Sequence, residues 1–293
     1  MEKTEAKPER RASTASIISV LRQLTERKSG LFGLVVLTVF LFGAIFANFI
    51  APYDPNFIAV SVALQGPSPQ HLFGTDYLGR DVFSRVVFGA RISLYVGVAS
   101  VIIGSLIGST IGLISGYYRG KLDFLLMRVI DTLLVFPALI LAILIVVVIG
   151  PSVNTVVLAI AISLIPSFAR VMRSSVLSVR EEEFVDAAKV LGYSDLRIML
   201  RHVLPACISP IIVLASLAVA GAILTEASLS FLGLGIPPPT ASWGADLRQA
   251  FDFVMTSPWA AIFPGMGISL SVLSLNMIGD ALRDMLDPTL KVV

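Results

Sequence analysis

Hydrophobic positions in this chain fall in six long runs. They are Leu31–Ile50, Ile92–Ile114, Leu125–Ile149, Thr155–Met172, Cys207–Ala227 and Ala260–Ile278. A helix needs about 20 consecutive apolar residues to cross the hydrocarbon core of a bilayer. A helix at the surface of a soluble domain carries a polar face at every turn instead. The pattern therefore predicts an all-α integral membrane fold with six spans. Pro137, Pro166 and Pro264 sit inside or at the ends of spans and predict kinks there. Residues 1–30 read as a polar tail and residues 31–293 as one membrane domain. The first apolar run lacks a small-residue cleavage pattern at its end, so it reads as an uncleaved first span.

Composition agrees. The 293 residues are 56% hydrophobic and 14% charged, and mean hydropathy is +0.87; soluble domains carry roughly 25% charged residues. The distribution of charge says more than the net value of +2. Of the 22 Lys and Arg, 18 lie in residues 1–30, 115–128, 169–201 and 279–293, which alternate with the spans so as to share one side. The other side has Arg80, Arg85, Arg91 and Arg248. By the positive-inside rule both termini are expected in the cytoplasm, with residues 51–91 and 228–259 as outer segments. Membrane lipid is the expected surrounding, and nothing in this charge pattern points to nucleic acid.

Candidate chemistry is sparse. Gly120-Lys121 lacks the spacing of a phosphate-binding loop, so the chain is expected neither to bind nor to hydrolyse ATP by itself. His71 and His202 are far apart, and the single cysteine, Cys207, can form no internal disulfide, so no metal site is expected. Among ionisable residues in the spans, Arg128 and Asp131 are placed to pair on one face of the third, and Glu226 is placed at the outer end of the fifth. None is expected at mid-membrane, which weighs against a proton- or sodium-driven carrier. Gly104, Gly108, Gly112 and Gly116 form a stripe at i+4 spacing, suited to close helix packing inside the subunit or against a partner.

The most informative segment is the charged loop between the fourth and fifth spans, about residues 180–205. Phe184, Ala187, Ala188 and Leu191 fall at i, i+3, i+4 and i+7, the apolar face of one short helix. Leu196, Met199, Leu200 and Val203 repeat that spacing. Gly192 suits the left-handed position that ends the first helix, and Ser194 suits the N-cap of the second. Two short helices meeting at a glycine make a bent knuckle.

The spacing Asp186-Ala187-Ala188, three residues, Gly192, then Leu204-Pro205 resembles the EAA loop of ABC importer permeases. This chain has Asp for the family's Glu and His202 for its Ile. Residues 71–94 (HLFGTD, LGRD and GARISL), 229–244 (LSFLGLG, the proline pair Pro237-Pro238 and SWG) and Asn276 to Pro288 resemble the peptide, nickel and glutathione group of these permeases, its "C" subunit type. The resemblance implies a permease in a prokaryotic plasma membrane that pairs with a second, homologous permease. It also implies two cytoplasmic ATPases that carry ATP and Mg, and an external substrate-binding protein. No cofactor is implied in this chain itself. Glu183, Asp186, Ala187, Ala188, Gly192, Leu204 and Pro205 would couple to the ATPases. Phe231, Pro237, Pro238 and Trp243 would contact the binding protein or pack over the pore mouth. Dipeptides or oligopeptides are the implied cargo. Glutathione or nickel chelates stay open, and so does an ATP-independent secondary transporter from a different class.

Overall fold

The computed structural model describes Thr25 and residues 28–286; most of the N-terminal tail and the motif from Asp287 onward lie outside the described residues. The chain is helical, in the order α1 (Lys28–Ile45), α2 (Ala47–Ile50), α3 (Val82–Tyr118), α4 (Gly120–Leu134), α5 (Ala138–Ile149), α6 (Val153–Val179), α7 (Glu183–Val190), α8 (Asp195–Ile198), α9 (Leu204–Phe231), α10 (Trp243–Phe251) and α11 (Trp259–Leu286). Among the described residues the only β pairing is an isolated bridge between Thr75 and Asp81.

Among the described residues, five helical stretches are long and apolar enough to cross a membrane: α1, α3, α6, residues 195–231 and α11. The third predicted span, Leu125–Ile149, is not one helix. Its halves, α4 and α5, meet at an angle of 87°. Pro137 explains the break, because proline disfavours the helical conformation of the residue before it and has no N–H to continue the ladder.

The third and sixth elements extend beyond their apolar runs. α3 begins at Val82, ten residues before the predicted span. Asp81 caps it, accepting from the backbone N–H and the hydroxyl of Ser84 at 2.8 and 2.7 Å. Its first turns carry Ser84 and Arg85, which are buried within the chain. At 37 residues and 1.5 Å per residue it is about 55 Å long.

The core of the bundle is the α3–α6 pair. A Cβ built on Gly104 would lie 2.9 Å from the carbonyl oxygen of Ala161, and one on Gly108 2.6 Å from that of Ile165. Gly112 and Gly116 meet Ala169 and Val176 in the same way. The stripe therefore faces this subunit's own sixth helix, and the backbones approach as closely as only glycine allows. Lipid-facing positions on α1 and α5 are exposed Leu, Ile, Val and Phe, as expected where hydrocarbon is the solvent.

Candidate functional site

Two structures stand at opposite ends of α3. At its first turns lies a cap made of the segment 51–81 and α10. At its last turn lies the knuckle, α7 and α8.

In the cap, charges predicted as loop residues are buried in pairs. Arg85 donates through Nε to Asp246 Oδ1 at 2.8 Å and through Nη2 to the same oxygen, and through Nη1 to the carbonyl of Pro55 at 2.9 Å. Arg80 donates to Asp76 and Gln249, each at 2.6 Å. His71 shares a proton with Asp81 at 2.9 Å and stacks near Tyr53. Burial pushes the Asp246 carboxyl above its ordinary range, while the Arg85 and Arg80 charges pull the other way.

Trp243 is fully buried. Its indole N–H donates to the carbonyl of Val86 at 2.9 Å, and its ring lies between Gly89 and Gly267, where a Cβ would come within 3.0 and 2.9 Å of it. Of the two roles expected for Trp243, contact with the binding protein or packing over the pore mouth, this structure offers no exposed surface for the first. Ser242 instead caps α10 through Ala245 N–H at 3.3 Å. Pro237 and Pro238 are exposed and Phe231 is half-buried, edge-on to Phe251.

Glu226 is completely buried in α9, accepting from Ser93 of α3 at 2.9 Å and from Ser230 at 2.8 Å. Asp131 pairs not with Arg128 but with Arg170 of α6 at 2.6 Å. Sequence spacing along one helix could not reveal these partners, because they arrive from other helices.

In the knuckle, Gly192 has φ +76°, the left-handed conformation expected of it. The amide of Tyr193 donates to the carbonyl of Ala188 at 3.2 Å and that of Gly192 to Lys189 at 2.9 Å. The buried face differs from the expected one. Val185 and Ala188 pack inward, with Ile198, Met199 and Val203. Phe184, Ala187, Leu191, Leu196 and Leu200 are exposed, and Val190 reaches 88% exposure. Ala188 therefore faces its own bundle, while Ala187 faces outward. Glu183 and Asp186 are exposed, Asp186 paired with Lys189 at 2.8 Å. The second arm is not a separate helix. α8 continues through a π-turn, Met199–Val203, into α9 past Leu204 and Pro205. Ser194 holds the N-cap position without a side-chain cap bond.

An exposed apolar edge beside a glycine bend, on a membrane-spanning bundle, is what a protein partner would cover. Comparison with known proteins agrees with that shape. The family described as "Binding-protein-dependent transport system inner membrane component" matches residues 108–292. The chain belongs to this family. Residues 18–67 match a second family, the N-terminal TM domain of oligopeptide transport permease C. The permease is 45% identical over 276 residues to a putative peptide transport system permease protein of Brucella suis biovar 1, covering 94% of this chain and 93% of the relative. It is 47% identical over 270 residues to a dipeptide transport system permease protein of Alkalihalophilus pseudofirmus, covering 92% and 89%. It is 46% identical over 271 residues to a glutathione transport system permease protein of Escherichia coli O6:K15:H31, covering 92% and 88%. In fold it resembles an inward-facing structure of the MetNI methionine ABC transporter, with TM-score 0.57 and 15% identity, over 69% of this permease and 94% of that chain. The permease is thus a multi-pass inner-membrane subunit of an ABC transporter.

Proposed function

We propose that this permease is one of two membrane-spanning subunits of an importer that moves dipeptides or oligopeptides inward by alternating access. A second, homologous permease completes the pore. Two ATPases, which hold ATP and Mg, seat on the knuckle, and an external binding protein delivers cargo to the cap. Both termini lie in the cytoplasm, which puts the knuckle inside and the cap outside. The 18-to-4 division of basic residues supports this orientation.

The observation that carries the proposal is the row of exposed apolar side chains around Gly192. Among the described residues Phe184, Val190, Leu191, Leu196 and Leu200 are 45% to 88% exposed. A Cβ on Gly192 would meet nothing within 4 Å, so the bend leaves open space for a partner. Nucleotide-driven closure of the ATPases would favour one position of the knuckle and so bias the pore between two states.

Leu191→Glu tests the docking. Leu191 is 70% exposed, so the variant is expected to insert normally and to lose the ATPase on affinity purification. Retention of the ATPase at parental levels would remove the coupling role. Crosslinkers at Pro237 and Pro238 should capture the binding protein in at least one nucleotide state; no capture in any state would remove that contact. The relatives named for peptide, dipeptide and glutathione transport support a peptide-like cargo, and their nearly equal identities do not separate a dipeptide from glutathione. Uptake of labelled dialanine and glutathione into proteoliposomes decides between them.

A further inference from the structure

The knuckle is covalently joined to α6 at one arm and to α9 at the other. The knuckle can bend at two places, between its arms and at its joint with α9. Gly192 separates the arms, and the second arm reaches α9 through the π-turn, followed by Pro205 and Pro210. A push on α8 could therefore be absorbed locally as a swing about Gly192. Tyr117 touches the second arm and the end of α6, on either side of the first arm. Tyr117, 5% exposed in the last turn of α3, donates its hydroxyl proton to Asp195 Oδ1 of α8 at 2.9 Å. Its backbone carbonyl accepts from Arg180 Nη1, at the turn that leads into α7. The Arg180 guanidinium also lies 5.8 Å from the Tyr117 ring centroid. Two residues on, Arg119 pairs with Glu181 at 2.6 Å.

These contacts close a triangle of α8, the C-terminal end of α6 and α3. Its third side is a helix without proline that runs unbroken to the cap, where Arg85 and Val86 hold Asp246 and Trp243. The glycine stripe that would otherwise soften α3 is locked against α6. We infer that Tyr117 is a positioning residue for coupling: by tying the second arm to α3 and to the end of α6 it suppresses the swing at Gly192 and delivers knuckle displacement through α3 to the cap. The inference rests on the docking reading above. Aromatic packing alone would place a phenylalanine equally well at this position; the hydroxyl on a carboxylate gives the tie a direction and a length.

The test uses the complete transporter, with its second permease, ATPases and binding protein, in proteoliposomes, and whichever of dialanine or glutathione the parent takes up. Tyr117→Phe and Asp195→Ala are expected to keep the ATPase bound and hydrolysing ATP. Uptake per ATP should fall about ten-fold, the effect of one hydrogen bond to a charged acceptor on a conformational equilibrium. Asp195→Asn, which keeps an acceptor oxygen, should restore coupling, and the double variant Tyr117→Phe/Asp195→Ala should be no worse than either single. Because Asp195 is exposed, its variants answer the question even if Tyr117→Phe inserts poorly. Parental uptake per ATP in Asp195→Ala, or losses that add in the double variant, would overturn the inference. Leu191→Glu run in parallel separates the two readings: if it sheds the ATPase while Asp195→Ala couples normally, docking stands and the tie fails. If Leu191→Glu keeps the ATPase and full uptake, the docking reading itself fails.

Discussion

The cap and the knuckle flank the same helix and are built on opposite principles. In the cap, charged and aromatic groups are turned inward and paired within the chain: Arg85 on Asp246, Arg80 on Asp76 and Gln249, Trp243 on the Val86 carbonyl. In the knuckle, apolar groups are turned outward and left uncovered, Val190 and Leu191 most of all. A region that pairs its own polar groups keeps its shape when alone. A region with an apolar edge is completed by something else. The contrast separates residues that hold the permease together from residues that connect it to partners, although both regions read as loops in the sequence.

Breaking the cap should cost the most stability. Asp246→Ala leaves Arg85 as an uncompensated buried charge and is expected to lose about 3–5 kcal/mol, seen as a lower midpoint of thermal unfolding in detergent. The paired change Arg85→Met/Asp246→Leu should recover most of that loss, since neither charge is then stranded. If the double variant is no more stable than Asp246→Ala, the cap depends on something other than this pair. Next in size is the α3–α6 contact. Gly112→Leu must push against the Ala169 backbone, and overpacking of this kind costs about 1–3 kcal/mol. An unchanged midpoint would show that the two helices separate easily.

The knuckle should respond in the reverse sense, with small effects on the fold and large ones on the partner. Gly192→Val meets no neighbour but must adopt φ +76°, a strain of about 1–2 kcal/mol. Normal membrane levels with weakened ATPase association are expected; weaker insertion with normal association would reverse the comparison. Leu191→Glu should change stability by no more than about 0.5 kcal/mol and yet shed the ATPase. A large drop in its unfolding midpoint would mean that Leu191 belongs to the bundle after all.

The charge of the outer segments shows how far a sequence alone reaches. Composition and run length settled that the chain is a helical membrane protein, because hydrocarbon imposes one requirement on every span: about 20 apolar residues with an internally satisfied backbone. The bend at Gly192 was legible for a similarly local reason, since a left-handed residue between two amphipathic segments is a property of neighbours in the chain. Pairings between helices were not legible. Asp131 had a good partner three residues away in Arg128 and took Arg170 instead, and Glu226 went to Ser93, which lies 133 positions earlier in the chain.

The same division applies within the knuckle itself. Periodicity identified two amphipathic helices, and it named Phe184, Ala188 and Leu191 as one face. Only packing decided that Val185 and Ala188 turn toward the bundle while Phe184 and Leu191 turn away. An apolar face is a demand for cover, and a sequence states the demand without stating who meets it. By itself, the sequence determined the apolar runs, the kink at Pro137 and the glycine bend, because these follow from local geometry and the solvent a segment requires. The tertiary structure alone decided the burial of Trp243 and the closure of the knuckle on Tyr117. Each of those depends on which helix lies next to which, a relation that no local pattern encodes.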